Sequence, residues 1–328
     1  MRPKTISSSD EDADRNKYLE MQAGEAASPG QPSKAPLINR MLLLFMVAMV
    51  LANTAGHMYG PLLPLYLKNL DASVVQVGLF FTLSQVVPLA LQILGGWISD
   101  SLGRLRSIAM GSLAGVLSYV GLILAPVWQW VLLAEGLAAV TRSLVAPSFG
   151  AFIAEQSTEE NRARVFGITE TIFMVVAVIG PPLGGWLVDS YGFKFMIACA
   201  GLLYAMATIL RIFMARAAAR GLESRPQKLT LTSLRANLGT MLALVLAGGL
   251  VTWILVTDGV RDIAFAMSFN LMPLYLEGIG GMSVQQIGWL ESAFGLFMML
   301  VSVPAGWLAD KKGERLAIVL GFVLQFFA

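Results

Sequence analysis

The sequence predicts an all-α polytopic membrane protein, with a six-helix N-terminal bundle followed by an incomplete second bundle. Three observations carry this. The chain is 56% hydrophobic and only 13% charged, with a mean hydropathy of +0.69, far from the composition of soluble domains. Its apolar runs follow one another, each close to the roughly 20 residues that cross a hydrocarbon core about 30 Å thick. The chain also repeats itself: GWISDSLGRLR (96–106) returns as GWLADKKGER (306–315), PLYL (64–67) as PLYL (273–276), and QVG (76–78) as QIG (286–288). The offsets are 209 and then 210, so a structural unit has been duplicated, with one residue gained in the loop after PLYL.

Residues 1–40 are polar, rich in Ser, Pro and Gly, and lack periodicity, which predicts a disordered cytoplasmic tail. No basic segment followed by a short apolar core and a small-residue cleavage site occurs there, which argues against a signal peptide. Nine spans follow: Met41 to Leu67, Val74 to Ser99, Ser107 to Ala125, Val127 to Ala154, Val165 to Val188, Phe195 to Met214, Met241 to Leu276, Val284 to Leu308, and an unfinished Leu316 to Ala328. The predicted domains are a bundle over 41–214, a cytoplasmic linker over 215–240 and three helices of a partial bundle over 241–328. The seventh run has 36 residues, too many for one straight span, and its Gly248-Gly249 pair divides an interfacial segment from the span proper. All are helices, because open sheet edges cannot be satisfied in lipid.

Orientation follows from the basic residues. With the tail inside, the cytoplasmic loops carry Arg104, Arg106, Arg162, Arg164, a run from Arg211 to Arg235, and Lys311, Lys312 and Arg315, whereas the outer loops carry only Lys68 and Lys194. Basic residues mark the cytoplasmic side, and aromatic belts the interfaces; Trp128 and Trp130 are thereby placed at the outer one. The net charge of +2 is spread over short loops and implies no nucleic-acid partner. The single cysteine, Cys199, lies in an apolar run, as a small buried residue does, and gives neither an intrachain disulfide nor a Cys-rich metal site.

The loop Gly96-x-x-x-Asp100-x-x-Gly103-Arg104-x-Arg106, with Gly306, Asp310, Gly313 and Arg315 in its second copy, resembles the cytoplasmic signature of the major facilitator superfamily of secondary transporters. Gly180-Pro181-Pro182-Leu183-Gly184-Gly185, with Gly167 upstream, resembles a signature of that family's drug:proton antiporter branch, and Arg142 resembles another. The resemblance runs from about residue 41 to the end. It implies a fold of twelve spans, of which about nine are present here, a plasma-membrane location, action as a monomer, and a helix start in the missing part that partners Asp100. The last 13 residues make only about 20 Å of helix, so the chain reads as a C-terminally truncated transporter that cannot complete a cycle alone.

Several residues carry chemistry in their own right. Asp100 and Asp310 close their helices at the negative end of the macrodipole, where an acid needs compensation. Nearby arginines or a helix N-terminus from the other half would supply it, making a latch that forms when the cytoplasmic side closes. Gly180, Pro181, Pro182, Gly184 and Gly185 predict a kinked helix packed closely on a neighbour, read either as simple packing or as a bend that controls access between the halves. Ionisable groups inside spans are expensive and point to a substrate path. Asn53 and His57 share a face of span one, Glu135 and Arg142 lie in span four, Asp258, Arg261 and Asp262 in span seven, and Glu291 in span eight. Asp262 falls on Asn53 under the 209-residue shift, which places a polar group at one depth in both halves and fits a central cavity. Asp258 and Arg261 read equally as a structural ion pair, Arg142 as a brace or a coupling residue, and His57 as a structural histidine or a proton carrier.

The expected function is movement of a small solute by alternating access, as proton-coupled efflux of a hydrophobic or cationic compound. The alternatives are a sugar or metabolite permease and a receptor or scaffold without transport. No phosphate-binding loop or H-E-x-x-H motif occurs, which disfavours a nucleotide-driven pump or a protease. The expected energy source is a proton gradient, with no enzyme activity, metal or other cofactor.

Overall fold

The structure, a computed structural model, describes residues 39–85, 88, 91, 103–218, 239 and 248–327. The tail, Gly96, Asp100 and most of the linker lie outside the described residues. Within them every regular element is helical: α1 (Arg40–Tyr59), a 3-10 turn (Gly60–Leu62), α2 (Leu63–Asn69), α3 (Val74–Ser84), α4 (Arg104–Leu124), α5 (Trp128–Glu155), α6 (Arg162–Tyr191), α7 (Phe193–Ala218), α8 (Gly249–Gly278), α9 (Val284–Lys312) and α10 (Glu314–Phe327).

Among the described residues, six helical stretches are long and apolar enough to cross a membrane: Arg40–Asn69, Arg104–Leu124, Trp128–Glu155, Arg162–Tyr191, Phe193–Ala218 and Val284–Ala309. This is fewer than the nine spans expected. Most of residues 86–102 lie outside the described set, α8 has the length but carries Asp258, Arg261 and Asp262 mid-helix, and α10 has only 14 residues. Span one is helical throughout but changes its winding partway along. The prolines at 61 and 64 cannot donate to the preceding turn, and the helix tightens there into the 3-10 turn before α2 resumes the path.

The first-half helices pack around one core. α1 lies against α6 and α7, and α4 against α5 and α7. Leu62, Leu67, Val77, Phe80, Leu122, Val131 and Ala200 have no solvent exposure. In the five first-half spans only 39–50% of the apolar window is buried, and large side chains such as Leu124, Leu133 and Phe213 point outward. That is the pattern of helices with one face on protein and the other on lipid. Most hydroxyls inside the spans bond within the protein, since hydrocarbon offers no partner; the buried Ser107 Oγ of α4 has none. Thr54, Ser112, Ser148, Thr169 and Thr208 donate to the carbonyl four residues back, and Tyr66 donates across the bundle to the Leu122 carbonyl at 2.6 Å.

The duplication extends to backbone detail. Ser73 and Gln76 form a capping box at the start of α3, and Ser283 and Gln286 form the same box at the start of α9. Each satisfies two orphan donors at a helix start. Gly103 (φ 88°, ψ 147°) and Gly313 (φ 92°, ψ 147°) precede α4 and α10 in one shared conformation. It is accessible essentially to glycine alone, so the second glycine of the repeated loop is required by geometry before any gating role is considered. α8 starts at Gly249, after Gly248 at φ 74°, where the sequence placed the start of the seventh span proper.

Some basic residues differ from expectation. Arg104 and Arg106 belong to the first turn of α4 and Arg315 to that of α10, because helix begins immediately after each glycine. Arg211, counted among the loop cations, is 4% exposed inside α7 and donates to Ser112 Oγ at 2.8 Å; the apolar run continues past it to Ala218, which carries it into the bundle. Trp128 is buried while Trp130 is exposed, because two residues along a helix face nearly opposite ways.

Gly103→Ala and Gly313→Ala should each cost about 1–3 kcal/mol through backbone strain. Gly136→Ala, at a helical position with open space around it, should be neutral or stabilising. Thermal unfolding of the three variants in detergent tests this; equal midpoints for all three would refute it.

Candidate functional site

Four helices of the first half bring polar and aromatic side chains together. Glu135 sits about two turns into α5, only 6% exposed. Its Oε1 accepts from the Tyr59 hydroxyl at 3.3 Å and its Oε2 from Arg142 Nη2 at 3.3 Å. The two partners arrive by different routes: Arg142 lies two helical turns along α5 from Glu135, and Tyr59 is the last residue of α1. The Arg142 side chain is 54% exposed against 7% for Glu135, so the acid is buried and its cation reaches outward. An unpaired carboxylate at such a depth is costly, and removing one partner would leave the other charge uncompensated.

Aromatic rings continue the network. The Tyr59 ring meets Tyr119 of α4 edge-on, with centroids 5.4 Å apart, and Tyr119 meets Tyr204 of α7 at 5.2 Å. Arg211 stands over Tyr204 at 5.9 Å, and its Nε has no hydrogen-bond partner. On the neighbouring face His57 packs edge-on against Phe173 of α6 at 5.7 Å. Asn53, a turn away, donates to the Met49 carbonyl of its own helix.

The other candidates lie elsewhere. Arg261 bridges Asp258 at 3.1 Å and Asp262 at 2.9 Å within α8, all three substantially exposed. The ion pair read from the sequence is thus present, widened to three residues. Glu291 is half-buried on α9, beside Ser292. Arg104 pairs with Glu155 at 3.3 Å, joining α4 to the end of α5. Lys311 lies over the Trp307 ring at 4.6 Å, and Gly306 and Asp310 fall in the last turns of α9. No group of three or more His, Cys, Asp or Glu able to hold a metal occurs among the described residues.

The two halves meet along α6 and α9, and glycines make the approach possible. A side chain at Gly185 would collide with the backbone of Val284 and Gln285, and one at Gly288 with Pro181 and Pro182. Gly180 and Gly184 do the same for α1, lying against His57 and the Met58 carbonyl. The helix runs unbroken through Pro181 and Pro182. Ser292 ties the seam by donating to the Val178 carbonyl at 2.6 Å.

At the end of the bundle away from the arginine-rich termini, two polar contacts join the halves. Lys68 Nζ meets Glu277 Oε2 at 2.7 Å. These are equivalent positions of the two repeats, 209 apart, and equivalent positions can touch only beside the axis that relates the copies. The Gln285 N–H, in the first turn of α9, donates to Asp189 Oδ2 at 3.0 Å. An acid at the end of one helix, held by the N-terminus of a helix from the other half, is the arrangement expected for Asp100; here Asp189 makes it at the opposite end. Sequence reading missed Tyr59, Tyr119, Tyr204, Asp189 and the Lys68–Glu277 pair. Only the last had a readable signal, in the repeat offset itself.

Comparison with known proteins agrees with this architecture. Over 291 residues the chain is 26% identical to the multi-drug resistance efflux pump PmrA homolog of Lactococcus lactis, covering 88% of this chain and 70% of that protein. It is 23% identical over 351 aligned positions to the multidrug transporter protein MdtP of Bacillus subtilis, covering 90% and 62%. Among solved structures, a bacterial homolog of the human lysosomal transporter Spinster superposes with a TM-score of 0.65 at 16% identity, covering 86% of this chain and 64% of that one. The chain therefore spans about two thirds of the length of each. The family model described as Major Facilitator Superfamily matches residues 43–328, and the chain belongs to that family.

Proposed function

We propose that this chain forms the first half and part of the second half of a twelve-helix secondary transporter, which exports a hydrophobic or cationic compound in exchange for protons. In this reading the N-terminus is cytoplasmic and the membrane is the plasma membrane. The arginine-rich ends of α1, α4, α6 and α7 support that orientation, and similarity to the Lactococcus lactis efflux pump supports export. The two halves rock about a site at their interface, as duplicated transporters do.

The observation that carries the reading is Glu135, buried in a span and held between Tyr59 and Arg142. Ionised, it neutralises Arg142 and presents negative charge to a cationic solute; Tyr59 and Phe173 offer ring faces for the solute's apolar parts. On protonation from the outside, the carboxyl loses its attraction for both cations, the solute is released and Arg142 is freed from its bridge. Return of the proton to the cytoplasm restores the pair. One acid thus serves solute and proton in alternation. The contacts at the Lys68 end close the outer side, so the arrangement corresponds to a site open toward the cytoplasm.

Two outcomes are expected. In everted vesicles with an acid interior that carry the complete twelve-helix transporter, Glu135→Gln should remove the dependence of solute uptake on the imposed proton gradient, leaving at most gradient-independent flux. Gradient-driven uptake that survives in this variant would transfer the coupling role to Asp258, Asp262, Glu291 or His57. For the outer contact, an exposed pair such as Lys68–Glu277 is worth no more than about 1 kcal/mol, so it registers the halves rather than holding them. Cysteines at 68 and 277 in a Cys199→Ala background should be joined rapidly by a short bifunctional maleimide, and the joined protein should stop transporting. Cross-linking no faster than between cysteines at 194 and 277 would remove the contact from the mechanism.

A further inference from the structure

The N-terminal end of α1 and the C-terminal end of α7 leave between them an open groove of about 660 Å³. Arg40 and Arg216 stand at its polar end, and Leu44, Leu210, Phe213 and Met214 are among the residues along its wall. Both arginines are exposed, and neither has a carboxylate partner among the described residues. Among the described residues no acid lines the groove. Two cations facing one groove repel each other unless an anion lies between them.

The arrangement is also graded in depth. α1 enters the membrane from Arg40 and α7 leaves it toward Arg216, so both arginines lie at one interface. Leu44 lies one turn deeper on α1, and Leu210 and Phe213 lie one to two turns deeper on α7. Arg211 takes no part, because it turns inward to Ser112. A free anion would use only the rim, and a neutral lipid only the wall. A molecule with an anionic head and an apolar chain uses both.

We propose that this groove is a binding site for an anionic phospholipid, whose phosphate pairs with Arg40 and Arg216 while an acyl chain lies on Leu44, Leu210 and Phe213. Basic pockets between helix ends at a membrane surface suit such headgroups. The leaflet, cytoplasmic under the orientation above, rests on that reading; binding itself does not. An occupied groove would fix the distance between spans one and six.

The test is native mass spectrometry of the chain released from micelles containing dioleoylphosphatidylglycerol or dioleoylphosphatidylcholine at equal concentration. Near a membrane surface each arginine favours an anionic lipid about fivefold, so the chain should retain the glycerol lipid roughly 25-fold better. Arg40→Gln with Arg216→Gln should bring the two lipids close to parity. Arg40→Lys with Arg216→Lys should keep the preference, as should Arg162→Gln with Arg164→Gln on the neighbouring helix end. Ala217→Trp, which fills the groove without changing its charge, should lower retention of the anionic lipid severalfold. Parity in the unmodified chain would overturn the proposal, as would an equal loss in the Arg162 and Arg164 variant. Displacement by millimolar inorganic phosphate would assign the site to a free anion instead. Retention that rises when Asp10, Glu11, Asp12 and Asp14 are neutralised would assign the groove to the chain's own tail.

Discussion

The close approach of α6 and α9 is the contact on which the relation between the two halves depends. Helices in lipid gain little from burying apolar side chains against one another, because the acyl chains they leave are equally apolar; backbone proximity and hydrogen bonds must do the joining. Gly185 and Gly288 remove the side chains that would hold the helices apart, and Ser292 closes the gap with a bond to the Val178 carbonyl. With that seam set, the first turn of α9 lies beside Asp189, and Lys68 can meet Glu277. On α6, Gly180 and Gly184 face α1 while Gly185 faces α9, so one helix sets two spacings at once.

Charge follows from the same constraint. A polar group carried into the bundle must find a partner there. Glu135 finds two, one from α1 and one from its own helix, and Thr54, Ser112, Thr169 and Thr208 return to their own backbones, whereas the buried Ser107 Oγ finds none. Arg211 satisfies only part of its guanidinium, through Ser112 and the Tyr204 ring. The polar network around Tyr59 is therefore built within the first half, whereas the α8 cluster of Asp258, Arg261 and Asp262 satisfies itself within one helix and stays more exposed. The two repeats have kept their caps and loop glycines while diverging in the ionisable groups inside their spans.

That division shows which features were legible in the sequence. Composition and run length gave the membrane class and nearly all the described helices, since crossing hydrocarbon demands an apolar segment of fixed length. The repeat predicted paired structures, and the matched capping boxes and the matched glycine conformations at 103 and 313 are their physical form. The sequence also named Glu135, Arg142 and the small residues of span five. Of the nine spans it counted, six have the length and composition of a crossing helix among the described residues; most of the second run lies outside them, α8 carries three charges mid-helix and α10 has 14 residues.

What sequence alone determined is local: where apolar runs begin, which caps start a helix, where only glycine fits. These depend on residues within a few positions of one another, so the linear order contains them. Tertiary structure decided the rest. Tyr59 reaches Glu135 across 76 positions and Arg211 reaches Ser112 across 99, and no periodicity encodes which faces of two helices will meet. Even the position of Arg211 was a tertiary matter. A cation near the end of an apolar run belongs to a loop or to a core according to whether a neighbouring helix offers it a partner at that depth, and here α4 does.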